Sequence, residues 1–521
     1  MSTHEHAAGG TRPNIVLILC DDMGFSDVGC FGSEIPTPHV DDLAARGLRM
    51  THMYNAARCC PSRAALLTGL YPTQAGIGHM TETGTDLPGY EGRLATDAVT
   101  IAEALRGAGY RTGMAGKWHV GGPLAASGGG RVDPDRNPRP TDRGFERFFG
   151  TLLGAGSYYA PASLHDGETP IEAPEGFYYT DAITERAEAF VDEMGRGPDP
   201  FFLYVAHVAP HWPLHAPLED VEAHLGRYLG GWDAVRAERH DRLRESGLVA
   251  RTWEPGTRDE RLPAWSDVTD TAWEDSRMAV YAAQIAAVDR GVGRLVAKLR
   301  ELGIEERTLV VFLSDNGGCA ELLPTNVPGT WPGGPDSFMS YGLPWATVSN
   351  TPFRRHKRWV HEGGIATPLV ACWPGVIPAG HVSHDPAHVI DLVPTFLELA
   401  GVAAPRDRDG VPAREIEGES LVRVLRGLPS DASRVLAWEH EGNRAVRAGD
   451  LKLVSVHGRP WELYRMDLDR TETNDLADRY PRDVRRLEAL HDDWALRTGV
   501  IPWDRLAPRL PAWFGTNPPE G

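Results

Sequence analysis

The chain has 521 residues, 41% hydrophobic and 24% charged, a globular composition with room for one large domain and a smaller companion. Its 53 Lys+Arg against 72 Asp+Glu leave a net charge of −19, a field that repels phosphate and argues against nucleic acid as a partner. No apolar run is long enough to span a membrane, Met1 to Pro13 has no signal-peptide core, and the six cysteines show no zinc-ligand spacing, so the expected setting is the reducing cytoplasm with no membrane partner.

Ile15 to Cys20 is a continuous apolar run, the pattern of a strand buried on both faces, and it ends at Asp21-Asp22. Thr37-Pro38 opens a helix with Val40, Leu43 and Ala44 on one face and Gly47 as its stop. Arg49 to Tyr54 reads as a second strand feeding Arg58-Cys59-Cys60-Pro61-Ser62-Arg63, and an apolar helix then runs to Thr68-Gly69. Pro61 suits the first helical position, which puts Cys59 and Cys60 at a helix mouth where free N–H groups and the dipole favour an anion. Arg63 adds a fork of donors shaped for a tetrahedral oxyanion.

Val99 to Leu105 reads as a helix, and Tyr110 to Ala115 as a strand that delivers Gly116-Lys117-Trp118-His119. Thr180 to Met194 is helical, and Phe201 to Ala206 is a buried strand ending at His207 and Pro210-His211-Trp212-Pro213. Residues 216–276 are polar and weakly patterned, as in a helical insertion or lid. A long helix from Ser276 to Leu302 precedes the strand Thr308 to Leu313, which ends at Ser314-Asp315-Asn316-Gly317. The basic run Arg354 to Arg358, the strand Pro368 to Trp373 and the helix Val389 to Leu399 follow. Residues 1–428 are therefore expected to be α/β, with a large, mostly parallel central sheet flanked by helices. From Ser433 the pattern changes to short strands and one helix, Arg482 to Leu496, so residues 429–521 are expected to form a small α+β subdomain with an antiparallel sheet.

The polar clusters share a placement. Asp21-Asp22, Lys117 with His119, His207 with His211, and Asp315-Asn316 each follow a buried strand, and ligand sites of open α/β sheets gather outside the carboxyl ends of the strands. Asp21, Asp22, Asp315 and Asn316 offer only hard oxygens, which select Ca²⁺ or Mg²⁺ over softer metals. Arg63, Lys117 and Lys357 are candidate anion clamps, although Lys357 taken alone belongs to a run with the pattern of a solvated surface. His119 and His211 are candidate acid/base groups, and for His211 packing against Trp212 is an equal alternative.

Several blocks in order carry a family resemblance. They are Asp21-Asp22, Cys59 to Gly69 with its Cys-x-Pro-Ser-Arg core, Gly116-Lys117-Trp118-His119, Pro210-His211-Trp212-Pro213, Ser314-Asp315-Asn316-Gly317, and Lys357 before Glu362-Gly363-Gly364. On these the chain resembles the type I sulfatases of the alkaline-phosphatase-like superfamily, most of all the bacterial arylsulfatases. The resemblance implies that Cys59 becomes Cα-formylglycine through a formylglycine-generating enzyme, with Cys60 a bystander. It implies one divalent cation, Ca²⁺ ahead of Mg²⁺, on residue 59, Asp21, Asp22, Asp315 and Asn316, and a small-molecule sulfate ester as substrate. Arg63, Lys117 and Lys357 would then neutralise the transferred group, His211 with Lys357 would protonate the leaving oxygen, and His119 would take the proton that releases sulfate. Trp118 and Trp212 flank the catalytic groups, and Tyr158, Tyr159 and Trp345 are candidates for the entrance, with core packing an equal alternative for each. Two alternatives remain at this point. One is a phosphonate monoester or phosphodiester hydrolase of the same superfamily, against which Asn316 and Lys117 speak. The other is a metal- and anion-binding protein without turnover, if Cys59 stays unmodified.

Overall fold

The computed structural model describes residues 12–122, 137–431 and 433–511, so the Met1–Pro13 stretch lies outside the described residues but for its last two. The main sheet contains β1 (Asn14–Asp21), β2 (Leu48–Tyr54), β3 (Arg111–Gly116), β4 (Arg147–Thr151), β5 (Leu164–Asp166), β6 (Thr169–Pro170), β7 (Phe201–Pro210), β8 (Thr308–Ser314), β9 (Ala366–Cys372), β10 (His381–Ser383) and β11 (Ala387–His388). Its order is β10-β2-β9-β8-β1-β7-β3-β4-β5-β6, with β11 also on β2. The five strands from β8 through β4 are parallel, as the long apolar runs predict. β9 runs antiparallel to both β8 and β2, and β5 and β6 add antiparallel pairs at the other edge.

β1 sits at the centre and shows why its sequence lacks alternation. Val16, Ile18 and Cys20 enter the core on one face of the sheet, under helices Tyr179–Gly195 and Thr271–Glu301. Ile15, Leu17 and Leu19 enter the other, under helices Cys59–Thr68, Ile101–Gly107 and Leu392–Ala400. Both faces are dry, so apolar residues occupy consecutive positions. Helix starts follow local chemistry: Thr100 and Glu103 form a capping box, and the Asp270 side chain accepts from Trp273 N–H. No helix among the described residues is long and apolar enough to cross a membrane.

Within 216–276 the chain forms helices Leu218–Glu222 and Trp232–Glu245. Trp232 and Trp265 pack edge-on against Trp345, which is fully buried and so belongs to the core rather than to an entrance. His207 is likewise not at a strand end. β7 continues to Pro210, and His207 lies inside it, buried without a hydrogen-bond partner among the described residues, with its pKa pushed down to about 4 by burial.

Strands Val435–His440, Asn443–Ala448, Leu451–Ser455 and Glu462–Arg465 form an antiparallel sheet in sequence order, and helix Pro481–Thr498 packs on it. Its apolar residues join both cores of the main sheet, so the C-terminal sheet is continuous with the rest of the protein. A buried ionic network also ties the two parts. Glu362, just before β9, takes Lys452 Nζ at 2.7 Å and Arg470 Nε at 2.6 Å, and accepts from the Tyr54 hydroxyl at 3.0 Å. Burial opposes the Glu362 carboxylate, but Lys452 and Arg470 outweigh it and hold its pKa down to about 2. A depressed carboxylate stabilises the fold above its unfolded pKa, about 4.3, and that contribution is lost as the pH falls toward the folded value of about 2. Glu362→Gln is expected to lower the unfolding free energy near pH 7 by about 3–5 kcal/mol in urea titrations. The difference from wild type should shrink as the pH is taken from about 4.3 toward 2.

Candidate active site

Because β8, β1, β7 and β3 are parallel, their carboxyl ends open on one edge of the sheet, and the polar clusters meet there. Asp21 ends β1, Asp315 follows β8, His211 follows β7 and Lys117 follows β3. Gly116 at the end of β3 has φ +118°, and a Cβ there would lie 1.9 Å from the Ala206 carbonyl oxygen. Only glycine lets the chain pass so close, and this passage seats Lys117 N–H on Ala206 C=O at 2.8 Å.

Helix Cys59–Thr68 brings the fifth element. It starts at Cys59 itself with Arg58 as N-cap, so Pro61 stands two residues later than the first helical position expected for it. The proline is harmless there, since the first four N–H groups of a helix have no internal partner, and the first such bond runs from Ser62 N–H to Arg58 C=O at 2.9 Å. Cys59 is buried at the helix start.

Three acids and three cations are packed together at this edge. Arg63 donates from Nε to Asp315 Oδ2 at 2.9 Å and from Nη1 to the Lys117 carbonyl at 3.0 Å. Lys117 Nζ pairs with Asp21, and Lys357 Nζ lies 2.8 Å from Asp22 Oδ1. Asn316 donates to Asp22 Oδ1 at 2.7 Å. Lys357 is therefore not the surface residue its basic run suggests. All seven side chains are buried. Burial works against the Asp21 carboxylate, yet Lys117, His211 and Arg63 hold its pKa below the usual value. Asp315 goes the other way, raised by burial and by the charge of Asp21.

Two oxygens stand out in this cluster. Asp21 Oδ1 and Asn316 Oδ1 are buried with no hydrogen-bond partner among the described residues. A buried acceptor left unpaired is expensive, and a hard cation is the partner that oxygen donors of this kind suit. Asp21, Asp22, Asp315 and Asn316 thus fit a divalent metal.

The two histidines are held differently. His211 Nδ1–H donates to the Trp212 carbonyl at 2.6 Å, which leaves Nε2 facing Lys357 Nζ at 3.3 Å and Asp22 Oδ2 at 3.4 Å. Its pKa is lowered, by burial first, with Asp22 pulling up and Lys357 pushing down. Tyr158, fully buried, donates its hydroxyl to the His211 carbonyl at 2.7 Å and so steadies this segment rather than lining an entrance. His119 has a left-handed backbone, φ 55°, and its Nε2 lies 2.9 Å from Glu82 Oε1 and 3.1 Å from Cys60 Sγ. Burial opposes the charged imidazole, but Glu82 outweighs it and the pKa is raised. Cys60 is thus in contact with the site. The Cys59 thiol is held well below its usual pKa by a hydrogen bond from Cys60, with Lys117, His119 and Lys357 outweighing burial. Any anionic atom at residue 59 sits in a favourable field.

The cluster meets a cavity of about 740 Å³ at Lys357, whose lining also includes Trp212, Arg58 and Glu321, with Leu322, Leu323, Leu343 and three prolines as apolar wall. Trp212 donates to Glu321 Oε2 at 2.8 Å. Trp118 is absent from the lining, fully buried with its indole N–H on the Pro138 carbonyl at 2.8 Å, and Tyr159 donates to the Gly333 carbonyl away from it. Glu82, Glu321 and Arg58 escaped the sequence reading. Glu82 and Glu321 lie in short segments without a period, and only Arg58, next to Cys59, had a position that could have marked it.

Comparison with known proteins agrees with this geometry. The family model described as Sulfatase matches residues 13–402, and that of N-sulphoglucosamine sulphohydrolase, C-terminal, matches residues 354–488. An arylsulfatase of Klebsiella aerogenes is 34% identical over 80% of this chain and 93% of its own. An uncharacterized sulfatase of Schizosaccharomyces pombe is 32% identical over 95% of each chain. Among solved structures, Ps i-CgsB in complex with k-i-k-neocarrahexaose superposes with a TM-score of 0.70 at 27% identity, covering 93% of each chain.

The orphaned oxygens make the metal testable. In chelator-treated protein, Ca²⁺ at a hundredfold excess over its dissociation constant should stabilise the fold by about 2.7 kcal/mol, read as a rise in melting temperature. Asn316→Ala and Asp21→Ala should each move that response to at least about tenfold higher Ca²⁺. A response unchanged in both variants would rule out these oxygens as ligands.

Proposed function

We propose how this chain, which belongs to the sulfatase family and is a sulfuric ester hydrolase, carries out its reaction. The supporting observation is the meeting of Arg63, Lys117 and Lys357 with Asp21, Asp22, Asp315, Asn316 and Cys59 at one buried sheet edge, which borders a cavity through Lys357. The substrate read from that cavity is an aryl or similarly apolar sulfate ester, since Trp212, Leu322, Leu323 and Leu343 would face the leaving group.

Sulfatases generally employ a metal ion and formylglycine, and here Ca²⁺ on Asp21, Asp22, Asp315 and Asn316 would supply fixed positive charge for the anionic sulfate. Conversion of Cys59 by a formylglycine-generating enzyme would supply a hydrated aldehyde, which offers one hydroxyl to attack sulfur and a second for release. A plain thiol or serine lacks the second. The chain's own residues do the rest. Lys117 and Lys357 bring their ammonium groups to the transferred group, and Arg63, locked on Asp315 and on the Lys117 carbonyl, adds charge and keeps Lys117 in place. His211, with its proton fixed at Nδ1 by the Trp212 carbonyl, turns the Nε2 lone pair to the Lys357 ammonium and passes a proton from it to the departing oxygen. His119, kept basic by Glu82, takes the proton from residue 59 that frees sulfate.

Peptide mass analysis across Cys59 should show the aldehyde, and protein carrying it should turn over p-nitrophenyl sulfate repeatedly. Cys59→Ala should be inactive, and His211→Ala should lose on the order of 10²–10⁴ in kcat. Aldehyde-bearing protein that leaves p-nitrophenyl sulfate and other sulfate esters intact would overturn the reading.

A further inference from the structure

We propose that Glu441, on the C-terminal sheet, is a positioning residue that clamps both sides of the active site through Arg58 and Arg358. The inference rests on the sulfatase reading given above. Arg58 immediately precedes Cys59, and Arg358 immediately follows Lys357. Glu441 sits at the tip of the hairpin between Val435–His440 and Asn443–Ala448, buried, with its backbone in the left-handed region at φ 52°. One of its oxygens, Oε2, takes Arg358 Nε, and the other, Oε1, lies 3.9 Å from Arg58 Nη1, 3.3 Å from His79 Nε2 and 3.6 Å from His440 Nε2.

The backbones beneath these side chains are tied as well. Arg358 N–H donates to the Ala57 carbonyl at 2.8 Å, and both residues are left-handed, at φ 87° and φ 64°. Three non-glycine residues in a sparsely populated conformation are thus linked in series, with Ala57 tied to Arg358 and Arg358 paired with the Glu441 carboxylate. Each such residue carries strain of about 1–3 kcal/mol and persists only where its surroundings over-determine it. Here the surroundings include the buried Glu441 carboxylate, which pairs with Arg358 and lies 3.9 Å from Arg58, while Arg58 also meets Glu321 at 3.2 Å. His79, His440 and Glu441 lie close enough together to suggest a metal, but two guanidinium groups already compensate that carboxylate, which makes a cation there unfavourable.

Releasing the clamp would free Arg358, and with it the adjacent Lys357, whose Nζ reaches His211 Nε2. That is the side of the reaction where the leaving oxygen gains its proton. A misplacement there matters little for a leaving group that is stable as an anion, and greatly for one that is not. The experiment compares Glu441→Gln and Arg358→Ala with wild type, using p-nitrophenyl sulfate and unsubstituted phenyl sulfate, below the melting temperatures of all three proteins. Both variants should lower kcat while KM stays within about threefold, and the loss should be on the order of tenfold larger for phenyl sulfate. Glu441→Asp, which keeps the charge, should recover part of it. If Glu441→Gln fails to fold, Arg358→Ala carries the test, because that side chain is 29% exposed. Equal losses on the two esters, or no loss, would overturn the inference while leaving the sulfatase reading intact. Aldehyde-bearing wild type that cleaves neither ester would overturn both.

Discussion

Charge compensation away from bulk solvent is the constraint on which this structure depends. Asp21, Asp22 and Asp315 are buried together with Arg63, Lys117 and Lys357 at one end of a sheet that is dry on both faces. An isolated buried ion is prohibitive, so each group requires its partners, and the partners come from separate elements. The parallel run β8-β1-β7-β3 places three of those elements near one another, helix Cys59–Thr68 adds Arg63, and the segment before Glu362 adds Lys357. Arg63 is the keystone of the arrangement, since its guanidinium joins the end of β8 to the end of β3.

The C-terminal sheet extends the same principle. Its strands join both hydrophobic cores, and its charged residues reach into the catalytic half at two places. Lys452 and Arg470 meet Glu362, and Glu441 meets Arg58 and Arg358. Trp438 adds an indole N–H to the Asn55 carbonyl at 2.8 Å, close to the Cys59 helix. These contacts make the C-terminal sheet part of the wall around residue 59, and a second family match from 354 to 488 spans this junction.

Much of this was legible in the sequence because buried parallel strands are loud. Ile15–Cys20, Phe201–Ala206 and Thr308–Leu313 announce themselves as apolar runs, and the polar residues after them mark the site edge. The short edge pieces β5, β6, β10 and β11 are too brief to show a period, and β7's continuation to Pro210 hid behind its own histidine and proline. Contact partners were the least legible. Nothing in Thr81-Glu82-Thr83 signals that Glu82 will reach His119, because the approach is made by a single 3₁₀ turn, too short to carry a periodicity. The aromatic residues misled for a related reason. A tryptophan's size says that it will be covered, but not by what, and Trp118 and Trp345 went to the core while Trp212 lines the cavity.

The two-sided burial of β1 has a consequence for how its alignment is chosen. A strand with one wet face is locked in place by alternation, because slipping by one residue would turn its apolar side outward. β1 has no wet face, and its hydrophobic residues would find a dry environment after such a slip. What would not survive is the placement of Asp21 and Asp22, each displaced by about 3.3 Å and one of them turned to the opposite side. Asp21 would leave Lys117, and Asp22 would leave Asn316 and Lys357. The core makes β1 a strand, and the carboxylates at its end decide which residue stands opposite which.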